Sequence, residues 1–344
     1  MKRVCIIGHF GHGENLLNGQ TVKTKIVTKE IVKELGKKEV SCIDTHGGVK
    51  ALISAFRHAL IALKYHKNII IMPAENGLRI FAPLLVLLNL LFHRKLHYVV
   101  IGGWLPEFLK KRKKLTKALM SFDGIYVETN TMRKALEAQG FNDVYVMPNF
   151  KDLNILKESE LVYHHTEPYR LCTFSRVMKE KGIEDAVNAV KTVNEHFGRI
   201  VYTLDIYGQV DSAQTEWFNE LKSTFPLYIK YGEFVPFDKS VEVLKNYFAL
   251  LFPTYYEGEG FAGTLLDAMA AGVHVIASDW RYNPEIVNEK TGYVYPVHDN
   301  HAFVTTLISV GNNSDLLLSK KSDCLKEAEK YRAENVIQCL TSKL

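Results

Sequence analysis

Runs of apolar residues without polar alternation recur along this chain, and the first covers residues 2–8. Four apolar side chains follow one another there, as in strands that are buried on both faces of a parallel sheet. Apolar residues then recur at helical spacing from Val22 to Leu35, with lysines on the opposite side. A strand, a glycine-rich loop and a helix in this order open a doubly wound α/β domain.

The same pattern continues to the end of the chain and predicts twelve strands. They cover residues 2–8, 40–44, 68–72, 98–101, 124–127, 144–147, 170–174, 201–207, 229–232, 249–253, 274–278 and 292–295. Helical stretches separate them, among them residues 183–197 and 263–271. We therefore expect an α/β fold of two Rossmann-like domains that face each other across a cleft.

Residues 151–168 have no strong hydrophobic periodicity, and we use this stretch to divide the chain into domains. We expect a first domain over residues 1–150, a linker over 151–168 and a second domain over 169–322. Residues 323–344 predict one closing helix, from about Asp323 to Leu340, which can pack on either domain.

The amino-acid composition is that of a globular protein without a disulfide framework. With 344 residues, 47% of them hydrophobic and 24% charged, the chain can bury two cores of ordinary size. The five cysteines are scattered and never have Cys-x-x-Cys spacing, which argues against a disulfide framework or a zinc site and for a reducing compartment. The apolar N-terminal run is short and soon broken by glycines, so we expect a cytoplasmic protein.

The net charge of +5 conceals a difference between the two halves. Residues 1–150 hold 23 Lys and Arg against 11 Asp and Glu, whereas the remainder holds 20 against 27. Five consecutive cations contribute to the excess: Lys110, Lys111, Arg112, Lys113 and Lys114. On one helix with exposed apolar neighbours, they would suit an anionic membrane surface or an acceptor. A solvated charged helix is the alternative, and the absence of interleaved aromatic residues argues against nucleic acid.

A very apolar stretch, residues 84–92, precedes these cations. It is much shorter than the ~20 residues that span a bilayer, so we expect a buried helix there. The glycines of the first loop, which include Gly8 and Gly19, allow either a tight turn or contact with a phosphate. Neither the Walker pattern nor Gly-x-Gly-x-x-Gly occurs in it.

Two segments of the second domain indicate a ligand-binding site more strongly than the first glycine loop does. Arg176 and Lys181 follow a predicted strand and precede a predicted helix, where two cations can bind a diphosphate, although a solvated basic loop fits equally well. After the strand at 249–253, Glu259 and the turn Gly260-Phe261-Ala262-Gly263 lead into a small-residue helix, and we expect Asp267 on its first turn. A helix N-terminus beside an acid can hold a phosphate and a sugar hydroxyl together. The alternative is that the acids only stabilise the start of the helix.

The second segment resembles the donor-binding signature of the retaining glycosyltransferases of family 4, which have the GT-B fold. The matching residues are Glu259, Gly260-Phe261, Asp267, Ala268-Met269-Ala270 and Gly272. Further matches are Arg176 and Lys181-Gly182, Tyr207-Gly208, Met147-Pro148-Asn149, and Glu285-Ile286-Val287 with Gly292. The resemblance covers the second domain almost throughout and the first mainly by its architecture.

This resemblance implies a metal-independent glycosyltransferase with a nucleotide-diphosphate sugar as donor and no cofactor, since Asp-x-Asp is absent. It implies that Arg176 and Lys181 bind the diphosphate, that Glu259 contacts the sugar and that Asp267 contacts the ribose. The remaining donor contacts would be Gly19, Gly208 and the turn Gly260, Phe261, Ala262 and Gly263. The first domain would bind a carbohydrate or lipid-linked saccharide acceptor, as in bacterial surface-polysaccharide synthesis.

Three departures from the family pattern bear on the identity of the donor: Asp267 replaces Glu, Ala262 replaces Gly and His274 replaces Pro. The first domain has Gly102-Gly103-Trp104 where many relatives have a histidine, and His9 and His12 are candidate substitutes. A nucleotide-sugar epimerase of similar fold and a non-catalytic sugar-nucleotide-binding protein are the alternatives. The sugar, base, acceptor and linkage stay open.

Overall fold

The structure is a computed structural model that describes residues 1–11, 19–45 and 54–344. It contains two compact units. The first comprises Met1–Asp152 and Arg332–Leu344, and the second comprises Leu153–Tyr331. Elements are numbered below in chain order through the described residues.

The first unit is built on a six-stranded parallel sheet. Its strands are β1 (Lys2–Gly8), β2 (Val40–Asp44), β3 (His66–Ile71), β4 (Lys95–Val99), β5 (Gly124–Val127) and β6 (Val144–Val146), in the order β2-β1-β3-β4-β5-β6. The helices are α1 (Gly19–Leu35), α2 (Ala55–Tyr65), α3 (Glu75–Phe92), α4 (Leu105–Lys110), α5 (Lys113–Leu119) and α6 (Asn130–Glu137). In register, Val4 lies opposite Val40 on one side and Asn68 on the other.

The second unit is built on another six-stranded parallel sheet. Its strands are β7 (Tyr169–Phe174), β8 (Tyr202–Tyr207), β9 (Ile229–Tyr231), β10 (Ala249–Phe252), β11 (His274–Ser278) and β12 (Gly292–Tyr295). The helices are α7 (Ile183–Phe197), α8 (Thr215–Ser223), α9 (Ser240–Leu244), α10 (Gly263–Ala270), α11 (Asn283–Ile286), α12 (Asn300–Asn312), α13 (Ser314–Ser319) and α14 (Lys321–Glu329). The order β12-β11-β10-β7-β8-β9 makes β7 and β10 neighbours where the strand order reverses, and ligands of doubly wound sheets bind at such a point.

The chain ends in α15 (Ala333–Thr341), which belongs to the first unit and packs beside α1. Its apolar side chains Val336, Ile337 and Leu340 join the core of that unit. The prediction of one closing helix is wrong, because α14 ends at Glu329 and Arg332 is extended before α15 begins. The stretch before β7 also packs closely, since Leu156 is buried and its amide donates to the Ala270 carbonyl oxygen at 3.0 Å.

All twelve predicted strands are present, and the predicted α/β class of two Rossmann-like units is confirmed. The boundaries move by at most a few residues; β4, for example, begins at Lys95 rather than Tyr98. Uninterrupted apolar runs locate the strands because both faces of each sheet are covered by helices.

The prediction of a buried helix over residues 84–92 is wrong. This stretch is the C-terminal half of α3, whose buried residues are Leu78, Phe81, Ala82 and Leu85. At 100° per residue these four share one side of the helix. Three leucines on the opposite side are exposed: Leu87, Leu90 and Leu91.

The prediction of one basic helix with exposed apolar neighbours is also wrong. The cations fall on the junction between α4, which ends at Lys110, and α5, which begins at Lys113. The apolar neighbours Phe108, Leu109 and Leu115 are buried. A helix continued through this run would stack like charges on successive turns. Instead, Arg112 lies over the Phe108 ring, 3.7 Å from its centroid, and donates to the Phe108 carbonyl oxygen at 2.6 Å.

Candidate active site

Lys181 and Glu259 form an ion pair where the strand order of the second sheet reverses. The segment after β7 carries Lys181, and the segment after β10 carries Glu259, so these adjacent parallel strands deliver both side chains to the same edge. The Lys181 Nζ lies 2.5 Å from Glu259 Oε2, and the side chains are only 12% and 9% exposed. A pair this shielded from solvent interacts far more strongly than one on the surface.

Thr254 holds the Glu259 carboxylate from a second direction. Its hydroxyl donates to Glu259 Oε2 at 2.8 Å, and its side chain is buried. The Glu259 amide donates to the Tyr256 carbonyl oxygen at 3.0 Å, which closes the turn between them. Two donors on one carboxylate oxygen fix its orientation. Sequence reasoning missed Thr254, although a polar residue just past a buried strand was a usable signal.

Aromatic and hydroxyl side chains support the loop after β10. The Lys181 ammonium lies 5.0 Å from the centroid of the Tyr256 ring, within the range of a cation–π interaction. From the end of β11, the Ser278 hydroxyl donates to the Thr254 carbonyl oxygen at 2.6 Å, and Trp280 Nε1 donates to the Tyr256 carbonyl oxygen at 2.7 Å. Sequence reasoning missed these contacts, because nothing local links residues 278–280 to this loop.

Two glycines let the loops at this edge approach one another. Gly182 precedes α7 with φ 68°, and a Cβ there would overlap the carbonyl oxygen of Pro253. Gly208 has φ 138°, and a Cβ there would overlap the carbonyl oxygen of Ser175. Both positions therefore need glycine for two reasons: the backbone conformation and the space.

Arg176 lies on the same loop as Lys181 but is 57% exposed. Its Nη1 is 3.5 Å from Asp211 Oδ2, so the two predicted cations, Arg176 and Lys181, pair with different acids.

A further acid, Asp185, lies in the first turn of α7. Burial raises the pKa of its carboxyl group, while nearby His298 opposes that rise.

The turn after Glu259 leads directly into α10. The Phe261 ring is buried and makes an edge-to-face contact with Tyr331, at 5.0 Å between centroids. Asp267 is buried as the fifth residue of α10, so it lies on the second turn and not, as expected, on the first. The buried Thr264 hydroxyl, on the first turn, has no hydrogen-bond partner among the described residues. Buried hydroxyls without a partner are uncommon in folded proteins.

The second unit matches a known family. Residues 168–313 match the family model described as Glycosyl transferases group 1. The GtfA subunit of the UDP-N-acetylglucosamine–peptide N-acetylglucosaminyltransferase of Streptococcus gordonii is 28% identical over 209 residues, covering 55% of this chain and 38% of that protein. Its Streptococcus agalactiae counterpart is 27% identical over 224 residues, covering 62% and 42%. The chain thus spans about two fifths of the length of these curated relatives.

Solved structures extend the likeness to both units. Sucrose-phosphate synthase from Thermosynechococcus elongatus matches with a TM-score of 0.75 at 13% identity, covering 99% of this chain and 98% of that one. HepE from Anabaena, solved with UDP-glucose, matches with a TM-score of 0.72 at 12% identity, covering 99% of each chain. The chain has the GT-B fold. The resemblance to GT-B glycosyltransferases stated above is confirmed.

Besides the five consecutive cations, the predicted site residues of the first unit are Gly19 and the two histidines His9 and His12. Gly19 is the exposed first residue of α1. His9 Nδ1 lies 2.8 Å from the Thr21 hydroxyl oxygen, whereas His12 lies outside the described residues. In the part of the chain that the structure describes, no three His, Cys, Asp or Glu side chains are grouped so that they could hold a metal ion.

Proposed function

We propose that this chain is a retaining, metal-independent glycosyltransferase that moves a sugar from a nucleotide-diphosphate sugar to a carbohydrate or lipid-linked saccharide acceptor. The observation that carries the proposal is the buried Lys181–Glu259 pair at the reversal of a sheet whose residues match Glycosyl transferases group 1. The curated relatives are named as transferases, which favours transfer over epimerisation or binding alone.

In this proposal the second unit binds the donor, and its charges stabilise the departing diphosphate. Lys181 and Arg176 supply positive charge at the strand edge, and the N-terminus of α10 adds backbone dipoles. Glu259 accepts a hydrogen bond from a hydroxyl of the transferred sugar, with its carboxylate held by Lys181 and Thr254. Asp267 would contact the ribose from the second turn of α10. The acceptor attacks from the face that the diphosphate leaves, which retains the configuration without a protein nucleophile.

We expect a UDP-sugar as donor, since GtfA is named for UDP-N-acetylglucosamine and HepE was solved with UDP-glucose. In a panel of UDP-, GDP- and ADP-sugars, a UDP-sugar at ~100 times its Kd should raise the unfolding midpoint by about 5 °C. The same compound should be hydrolysed slowly to UDP, and ADP-sugars serve as the control. Stabilisation without any hydrolysis or transfer would favour a non-catalytic binding protein, and no stabilisation by any donor would contradict the proposal.

For the acceptor we propose a saccharide of the cell surface, with the chain attached peripherally to the cytoplasmic side of the membrane. The first unit has a surface pocket of about 670 Å³ whose rim is almost entirely basic. It is lined by Arg79, Pro83, Lys110, Lys111, Arg112, Lys113, Lys114 and Leu115. Such a pocket suits phosphate groups of lipids or of a lipid-linked acceptor, through charge attraction and hydrogen bonds.

Changing Lys110, Lys111, Lys113 and Lys114 to Gln should lower binding to anionic vesicles by about 100-fold or more, because each basic side chain near such a surface contributes ~1 kcal/mol. Co-sedimentation at low ionic strength measures this. Arg112 is retained in the variant because it packs on Phe108.

The matched control changes three exposed cations elsewhere in the first unit, Lys33, Lys37 and Lys38, to Gln. It should bind vesicles nearly as the unaltered chain does. Equal binding by the four-lysine variant and the unaltered chain would refute attachment through the pocket.

A further inference from the structure

Helix α3 exposes an apolar side where a surface helix usually carries charge. Its outward positions after Pro83 are Leu87, Leu90 and Leu91, which are 64%, 68% and 78% exposed. The only charged residues of this 18-residue helix are Glu75 and Arg79, both in its N-terminal half. Three adjacent exposed leucines on one helix face mark a surface that binds something apolar.

Helix α2 packs against α3 and also exposes apolar residues. Its exposed positions are four apolar or aromatic residues and the two cations Arg57 and Lys64. We call the exposed apolar residues of both helices the apolar face; they are Phe56, Leu60, Ile61, Tyr65, Leu87, Leu90 and Leu91. The Lys64 ammonium lies 5.4 Å from the centroid of the Tyr65 ring, an arrangement that suits the boundary between lipid and water.

The segment of the chain that contains the apolar face is strongly basic. Residues 54–117 contain 12 Lys and Arg but only two acids, Glu75 and Glu107. Glu107 is already paired with Lys110, at 2.6 Å. A surface that combines exposed leucines, aromatic residues and an excess of cations complements an anionic bilayer.

One helix connects the apolar face to the basic pocket. Arg79 and Pro83 line the pocket, and both lie on the exposed side of α3 that continues through Leu87 and Leu90. Steps of four and three residues keep these positions on one side of a helix. A lipid surface that meets the cations of the pocket therefore also meets the leucines.

We propose that the apolar face inserts its side chains into an anionic lipid bilayer while α2 and α3 lie along the surface. By length and composition alone α3 could cross a membrane. However, Leu78, Phe81, Ala82 and Leu85 are buried inside the first unit, so crossing would require removing them from that core. The helix lies on the membrane and does not span it. This inference builds on the proposed membrane attachment and does not depend on glycosyl transfer.

The test compares two sets of surface leucines. Changing Leu87, Leu90 and Leu91 to Ser should lower binding to vesicles of phosphatidylglycerol and phosphatidylcholine at about 3:7 by roughly 10- to 100-fold, measured by co-sedimentation. The control is Leu227→Ser in the second unit, where the leucine is 95% exposed and binding should be unchanged. Hydrolysis of a soluble donor should stay normal in both variants, which separates this inference from the proposed catalytic function.

A depth measurement separates insertion from charge attraction alone. In Leu90→Trp, the added fluorescence should shift to shorter wavelength with the same vesicles and be quenched by brominated lipid. The difference spectrum is taken against the unaltered chain, which already contains Trp104, Trp217 and Trp280.

Vesicle binding by the triple Ser variant equal to that of the unaltered chain would overturn the inference, as would binding of Leu90→Trp without a spectral shift. Loss of a dimer by the triple variant in sedimentation velocity, with vesicle binding intact, would assign the apolar face to a second copy of this chain and would equally overturn it.

Discussion

Glu259→Gln and Lys181→Ala are each expected to lower kcat/KM for sugar transfer by about 10²–10³-fold. Glu259→Gln removes the negative charge of a carboxylate that accepts hydrogen bonds from Lys181 Nζ and the Thr254 hydroxyl. Lys181→Ala removes positive charge where we place the diphosphate and leaves a buried carboxylate without its cation. Initial rates of UDP release, with the UDP-sugar that the panel of donors selects, measure both effects.

The control makes the same two changes in an ion pair of the second unit that is more exposed than Lys181 and Glu259. Lys245 and Glu242 are 2.7 Å apart on one helix and its C-terminal cap, and Glu242 is exposed. Lys245→Ala and Glu242→Gln should leave the rate within about twofold, because exposed pairs of this kind contribute little.

The double variant of Lys181 and Glu259 tests whether the two act as a unit, since residues in contact show strongly non-additive effects. We expect kcat/KM of the double variant to lie within about tenfold of the value for the slower single variant. Rates near that of the unaltered chain in both single variants would remove Lys181 and Glu259 from the active site.

Lys181 and Glu259 could each be predicted from the sequence as site residues, but not as a pair. Each was found because it follows a strand and matches a family motif. Their contact depends on β7 lying beside β10, and these strands are separated in the chain by β8 and β9. Strand order of this kind is set by how helices pack across the whole sheet. Thr254 was missed for a different reason: it lies on the same loop as Glu259, and its role appears only when Glu259 folds back over it.

The hydrophobic pattern predicts the strands correctly but does not predict which side of α3 is exposed. A buried parallel strand is apolar on both faces, so a short uninterrupted run identifies it. Residues 84–92 form the same kind of run, yet Leu85 is buried and Leu87 is exposed. Where nearly every position is apolar, the sequence contains no polar side to show which way the helix faces. The exposed leucines could therefore be recognised only from the packing of α3 on its neighbours.

Gly182→Ala is expected to lower the free energy of unfolding by about 3 kcal/mol or more. The alanine would have to keep a positive φ, which costs about 1 kcal/mol, and its Cβ would also overlap the carbonyl oxygen of Pro253. Relief of that overlap moves the start of α7 away from the end of β10, and with it Lys181 from Glu259. Sugar transfer should therefore fall even under conditions where the variant is folded.

Gly198 offers a control at the other end of the same helix. It has nearly the same backbone conformation as Gly182, with φ 62° against 68°, but no atom lies within 4 Å of the Cβ that an alanine would add. Gly198→Ala should then cost only about 1 kcal/mol and leave transfer unchanged. Urea unfolding measures the free energy of unfolding of both variants. The difference between their losses gives the steric contribution, because both alanines bear the same cost of a positive φ. Equal losses of stability would mean that the loop after β10 moves aside freely, and the close contact between the loops would then not be what positions Lys181 against Glu259.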